Sequence, residues 1–311
     1  MAGLKEMNTA VFRRAGAMFS NLWSVVGFLE WCESNSYVPV VDFQTVRPTN
    51  FWKSEEARNA WTDYFEQTSD RSLRSVLDSE DYFLFEGRPK GFPVSEYSQD
   101  SRFVAIFHER VRLNPFMQEY VSRWLEMLAQ SGSVLGVHFR GTDMKVAKSH
   151  ASPPTRFQMF KTIDEALERG SFDSILLATE DQGHFEATLK RYGAKVVTTD
   201  SFRTRETAKL ARMESPILQW NYHLGCQVIR DAWLLGHCDG LVSGHSNVSE
   251  HAQVIARNSY SVNLQIRRLR VDLLDDRRGG IRVSNWLREY SSSRVPGPDF
   301  RLIDRSPKSP G

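Results

Sequence analysis

The chain has 311 residues, with 40 Lys and Arg against 38 Asp and Glu and a formal net charge of +2. That length suits two α/β domains, and the balanced charge supplies no field that would draw nucleic acid. Three cysteines (Cys32, Cys226, Cys238) form no CxxC pair, which argues against a disulfide framework or zinc knuckle and for a reducing compartment. The first thirty residues lack a signal-peptide pattern. No apolar run approaches the roughly 20 residues of a membrane helix, so a cytoplasmic location is expected.

Thr9 to Arg13 reads as a short strand, Ala15-Gly-Ala-Met as a turn, and Phe19 to Ser34 as a helix with Leu22, Val25, Val26 and Leu29 on one face. Tyr37 to Asp42 follows as a second strand. Gly16 would let the backbone approach a ligand at the helix start, or would serve a tight turn alone. There is no GxGxxG to choose between these readings. Ser54 to Gln67 is expected to be helical, with Ser54 as N-cap and Trp61, Tyr64 and Phe65 in the core. Residues 68 to 100 carry Gly87, Pro89, Gly91 and Pro93 and read as loops around one strand, Tyr82 to Phe85. A helix from about Pro115 to Gln130 marks the domain boundary.

The second half alternates strand and helix. Strands are expected at Ser133–Phe139, Ser174–Ala178, Lys195–Thr198, Gly240–Ser243 and Tyr260–Leu264. Helices are expected at Thr155–Arg169, Gln182–Tyr192, Ser215–His237 and from Ser246 to about Arg257. Gly170 is a candidate left-handed cap for the first of these helices, and Gly193 closes the second. This alternation implies a parallel, doubly wound sheet. From about Arg294 the Pro, Ser and Lys content suggests a loose tail.

The polar residues of interest stand where strands end, which is where open α/β sheets bind ligands. Val134 to Phe139 is a mostly apolar run of the kind a buried parallel strand requires. It carries His138, Arg140, Thr142 and Asp143 at its end. A guanidinium there suits phosphate, or serves as a surface ion-pair partner. Thr179 to Asp181 and Ser243 to Ser249 are two further strand ends. Ser246 and Asn247 are good N-cap residues, and the helix they open would offer N–H groups to an anion. Ser249 would add a hydroxyl. Asp231, on the preceding helix, is either a hydrogen-bond acceptor for a ligand or a solvated face residue. No Walker motif and no DxD triplet occur. The spacing of His237, Cys238, His245 and His251 matches no zinc pattern.

The string Gly136-Val-His-Phe-Arg-Gly-Thr-Asp143 resembles the signature of the α-1,6-fucosyltransferases and their nodulation-factor relatives, close to Gly-Val-His-Val-Arg-Arg-Thr-Asp. Ile175-Leu-Leu-Ala-Thr-Glu-Asp181 and the stretch from Asp231 to Ser249 resemble two later elements of that family, in the same order. The resemblance covers roughly residues 133 to 265. It implies an α/β GT-B fold of two Rossmann-like domains with mostly parallel sheets facing a central cleft. Residues 1–125 would form the acceptor-side domain, 126–290 the nucleotide-sugar domain and 291–311 the tail. It also implies GDP-fucose as donor, a glycan acceptor, no metal or other cofactor, and inversion at the anomeric carbon. On these terms Arg140 holds the diphosphate, with His138 and Thr179 near the nucleotide. Asp231 contacts guanine, and Ser249 with its helix start binds the β-phosphate.

Two positions depart from the pattern. The family's second Arg is Gly141 here, and its catalytic glutamate falls in a region where this chain has Lys148. Asp143 is then the first candidate base and His150 the second. The departures keep a rival open, a non-catalytic relative that binds a GDP-sugar or a glycan. Arg267, Arg268, Arg270, Arg277, Arg278 and Arg282 crowd the C-terminal quarter. Interleaved Asp272, Asp275 and Asp276 favour a solvated face over a nucleic-acid surface, and leave open a peripheral contact with a lipid-linked acceptor.

Overall fold

The computed structural model describes residues 8–45, 59–86, 96–142, 153–206, 213, 215–268 and 300–307. In chain order the elements are β1 (Thr9–Arg13), α1 (Met18–Asn35), β2 (Val38–Val41), α2 (Leu73–Ser79), β3 (Phe83–Glu86), α3 (Ser101–Arg110), α4 (Pro115–Ala129), β4 (Val134–His138), α5 (Arg156–Arg169), β5 (Ser174–Ala178), α6 (Gln182–Tyr192), β6 (Val196–Thr198), α7 (Trp220–Gly236), β7 (Gly240–Gly244), α8 (Asn247–Ile255), β8 (Val262–Arg268) and β9 (Phe300–Asp304). They fall into two compact units. One runs to Ser122 and takes back Ser215–Ile229; the other holds Arg123–Glu214 and the chain from Arg230 on.

The first unit has a parallel sheet ordered β2-β1-β3. Val11 faces Val40 on one side and Leu84 on the other. Helix α1 buries residues around its whole circumference, including Leu22, Val25, Val26, Phe28 and Leu29. Phe28 meets Phe12 and Phe85 at ring separations of 5.3 and 5.4 Å. Each such side chain stabilises the fold by roughly 1.5–3 kcal/mol relative to exposure.

The helix expected over Ser54–Gln67 is absent from residues 59–67, which form turns. The reason lies in two amides. Asn59 accepts from Phe43 N and donates to Val41 O, at 2.9 and 2.6 Å. Gln67 accepts from Val41 N at 3.1 Å. Side-chain amides that bind backbone this way compete with a helix. Residues 68–100 hold α2 as well as the expected strand. Beyond them, α3 begins at Asp100, whose carboxylate accepts from the N–H of Arg102 and Phe103. The segment Ser215–Ile229 returns to the first unit. Its anchor is Tyr222, which stacks on Tyr64 at 5.4 Å and accepts from the Tyr64 hydroxyl at 3.3 Å.

The second unit has six strands ordered β6-β5-β4-β7-β8-β9. All pairs are parallel except β8 with β9. Strands β4, β5 and β7 are buried along their whole length, as a sheet covered on both faces requires. Leu135, Val137, Ile175, Leu177, Val242 and Leu264 form the core with Met159 and Ile163 of α5. Gly136, central in β4, leaves room for α7: a Cβ there would lie 3.1 Å from Leu235 and Cys238.

Two expectations are corrected here. Gly170 is extended, at φ −122°, rather than left-handed; the Phe172 ring fills the place of its Cβ. Residues 300–304, inside the stretch read as a loose tail, form β9 and pair with β8, Ile266 against Leu302. Among the described residues no helix is long and apolar enough to cross a membrane, and no cluster of His, Cys, Asp and Glu is arranged to hold a metal.

Tyr260 ties the ends of α7 and α8 together, its buried hydroxyl reaching Leu235 O at 2.9 Å and Ala252 O at 3.0 Å. Tyr260→Phe should lower the unfolding free energy by about 0.5–1.5 kcal/mol in urea titration, because the one hydroxyl proton shared by two carbonyls is lost while those carbonyls keep their backbone donors Cys238 N and Ala256 N. A loss under roughly 0.5 kcal/mol would mean the hydroxyl adds nothing to those backbone bonds.

Candidate functional site

The register of the second sheet aligns His138 with Ala178 on one side and Ser243 on the other. Three polar strand ends therefore share one edge. At the centre, His138 is buried and its Nδ1 lies 3.3 Å from Ser246 Oγ, at the start of α8. Burial, with the Arg140 charge beside it, pushes the His138 pKa down to about 3. The imidazole is neutral at physiological pH.

The turn after β4 is clamped by the strand end of β5. Arg140 Nε lies 3.8 Å from a Glu180 carboxylate oxygen, with the guanidinium side chain one-third exposed. The same oxygen accepts from Gly141 N and Thr142 Oγ1, both at 3.1 Å. Thr142 is held at φ +39°, in the left-handed region that a β-branched residue seldom occupies. Asp181 accepts from His184 N at 2.9 Å, capping α6, and from Thr142 N at 3.4 Å. Thr179 is buried, and its hydroxyl accepts from Asp181 N at 3.2 Å. A Cβ on Gly141 would lie 2.5 Å from Asp181 Oδ2, so any side chain at 141 would displace that carboxylate.

The start of α8 is a reciprocal capping box. Ser246 Oγ accepts from Ser249 N, and Ser249 Oγ accepts from Ser246 N, both at 3.1 Å. Ser249 is fully buried and donates its hydroxyl to Gly244 O at 2.9 Å. Its side chain builds the turn, and the exposed face of the helix start belongs to Asn247. A helix opening of this kind presents backbone N–H groups to an anion.

Asp231 is not a solvated face residue. It receives hydrogen bonds from Ser201 Oγ at 3.0 Å, from Arg230 Nη2 at 2.9 Å and from Thr199 Oγ1 at 3.4 Å. The Arg230 guanidinium is buried, lies 4.5 Å over the Trp124 ring and is also paired with Asp200. Arg203 stacks 4.1 Å over Phe185 and donates to Thr199 O and Ser201 O. Gly16 belongs to the first unit. Its carbonyl accepts from Asn21 Nδ2 at 3.0 Å, and the Asn21 side chain fills the space a Cβ would need. Asp143, Lys148 and His150 lie outside the described residues.

Arg230, Asp200 and Ser201 are the members of this site that the sequence reading passed over. One signal pointed to the last two: β6, like its neighbours, ends in polar residues (Thr198-Thr199-Asp200-Ser201).

His251, also buried, has its pKa pushed down to about 4 by burial. Both histidines sit below their ordinary value of 6.5. The unfolded chain therefore binds protons that the folded chain rejects. Stability from this source is intact above pH 6.5 and is lost as the pH falls through the window toward 4 and 3. Each histidine adds a slope approaching about 1.4 kcal/mol per pH unit. His138→Asn should flatten the decline between pH 6.5 and 4 in urea unfolding; an unaltered slope would show His138 charging without penalty.

No protein-family model matches the sequence, and no curated protein sequence matches it. Solved structures do match. A NodZ α-1,6-fucosyltransferase soaked with GDP-fucose is 13% identical with a TM-score of 0.58, over 96% of this chain and 100% of that one. The fucosyltransferase NodZ from Bradyrhizobium is 13% identical with a TM-score of 0.56, over 83% and 96%. An Arabidopsis thaliana FUT1 variant in complex with GDP is 11% identical with a TM-score of 0.50, over 98% and 76%. The architecture of this chain, two units each built on a mostly parallel sheet, is similar to that of these GT-B fucosyltransferase structures.

Proposed function

We propose that the chain is a glycosyltransferase that moves fucose from GDP-fucose to a glycan hydroxyl, inverting the anomeric carbon without a metal. The observation that carries this reading is the 3.3 Å contact between His138 and Ser246, which sets the Arg140 strand end beside the α8 start. A departing diphosphate needs positive charge on its oxygens. Arg140 supplies a fixed guanidinium, and the α8 opening supplies N–H groups and the positive end of a helix dipole. Asp231, with its Thr199 and Ser201 partners, forms the hydrogen-bonding wall that would meet guanine. Thr179 and His138 shape the floor. Asp143 is the first candidate to deprotonate the acceptor hydroxyl, and His150 the second. Residues 126–290 would hold the nucleotide sugar and 1–125 the acceptor side. Three buried cysteines, none of them in a disulfide, suit a cytoplasmic enzyme.

A second reading has a specific observation behind it. Gly141 stands where the family pattern has Arg, and Asp181 occupies the space that side chain would need. One cation fewer at the leaving group fits a relative that holds a GDP-sugar without turning it over.

A thermal-shift panel tests the donor. GDP and GDP-fucose should stabilise the chain by mass action, and UDP-sugars and NAD should not; the reverse result would refute the proposal. Release of GDP in the presence of an acceptor separates the two readings. Arg140→Ala should lower turnover by a factor on the order of 10² or more with the melting temperature kept. Asp143→Asn should lose at least about 10²; if only His150→Ala does so, the base is His150.

A further inference from the structure

Behind the α8 start lies a charged cluster that the proposed chemistry does not use. Glu250, in the first turn of α8, is 1% exposed. One of its oxygens lies 3.3 Å from Arg267 Nη2 of β8, 3.3 Å from Arg305 Nη1 just past β9, and 3.2 Å from Gln265 Nε2, which donates to it. His245 Nδ1 stands 3.6 Å away, one residue before the Ser246 cap. Arg305 is 6% exposed and also donates to Gln253 Oε1 at 2.6 Å. Gln253 in turn donates to Ser249 O at 3.1 Å.

A buried carboxylate at this place opposes what the helix start offers an anion. Left alone, it would repel a phosphate by several-fold in affinity even at an effective dielectric near 20. Two guanidiniums against one carboxylate reverse the sign, so among the described residues the cluster carries one net positive charge. Arg305 makes that difference, and the antiparallel strand β9 delivers it from the far end of the chain.

We propose that Arg305 is a positioning residue for the donor site: with Arg267 it overcompensates Glu250, and so sets how tightly the α8 start holds a nucleoside diphosphate. This rests on the reading that the α8 start binds the donor's diphosphate. Arg305 meets α8 through Glu250 and Gln253, and its positive charge and the negative charge of Glu250 act on a bound diphosphate with opposite sign, so removing both should cancel.

The test is a double-mutant cycle on the full chain, with GDP affinity measured by calorimetry at low salt and folding checked by circular dichroism. Arg305→Met should weaken GDP by about fivefold, and Glu250→Gln should tighten it by a similar factor. The double variant should return to within about twofold of wild type. Arg305→Lys, which keeps the charge, should also stay within about twofold. A merely structural role cannot give the gain at Glu250→Gln. If both single variants weaken GDP and the double is weakest, the proposal is overturned while the donor assignment stands. If the unaltered chain does not bind GDP at all, both fall.

Discussion

Parallel pairing of β4 between β5 and β7 is the constraint on which the second unit depends. Hydrogen bonding in this register leaves no freedom in where the three strands stop. His138, Ala178 and Ser243 are neighbours across the sheet, so the polar residues just beyond them must meet. Burial of the strands on both faces demands apolar side chains up to that edge, and the chemistry begins where the demand ends. One edge thus collects a guanidinium, two carboxylates, a neutral imidazole and a helix opening.

Carboxylates at that edge act first as scaffolding. Glu180 and Asp181 together bind the backbone of Gly141 and Thr142 and the hydroxyl of Thr142. They hold Thr142 in a backbone conformation that a β-branched residue would leave if released. Arg140 is aimed by the same turn. Its direction is fixed by residues about forty positions away, and the strained backbone is stable only while both acidic side chains keep their partners.

Much of the fold could be read from the residues because its strands obey a local rule. Val134–His138, Ser174–Ala178 and Gly240–Gly244 are short apolar runs bounded by turn residues. Helices α5 and α6 begin at Thr155 and Asp181, which are strong caps. What escaped depended on partners distant in sequence. Asn59 has no local reason to abandon a helix until β2 is beside it. Phe300–Asp304 sits among Pro, Ser and Lys and becomes a strand only against Leu264 to Arg268. In the site, strand position pointed to Arg140, His138 and Ser246. The burial of the Ser249 hydroxyl and the enclosure of Asp231 by Arg230, Ser201 and Thr199 are products of packing, to which no spacing rule applies.

The contact between Gly141 and Asp181 also has an evolutionary consequence. An arginine introduced at 141 would collide with the carboxylate that caps α6 and steadies Thr142. Removing that carboxylate first would loosen the turn before any new cation arrived. The two positions can exchange character only together. Substitutions at 141 and 181 are therefore epistatic, since either change made alone disturbs the turn that both positions share.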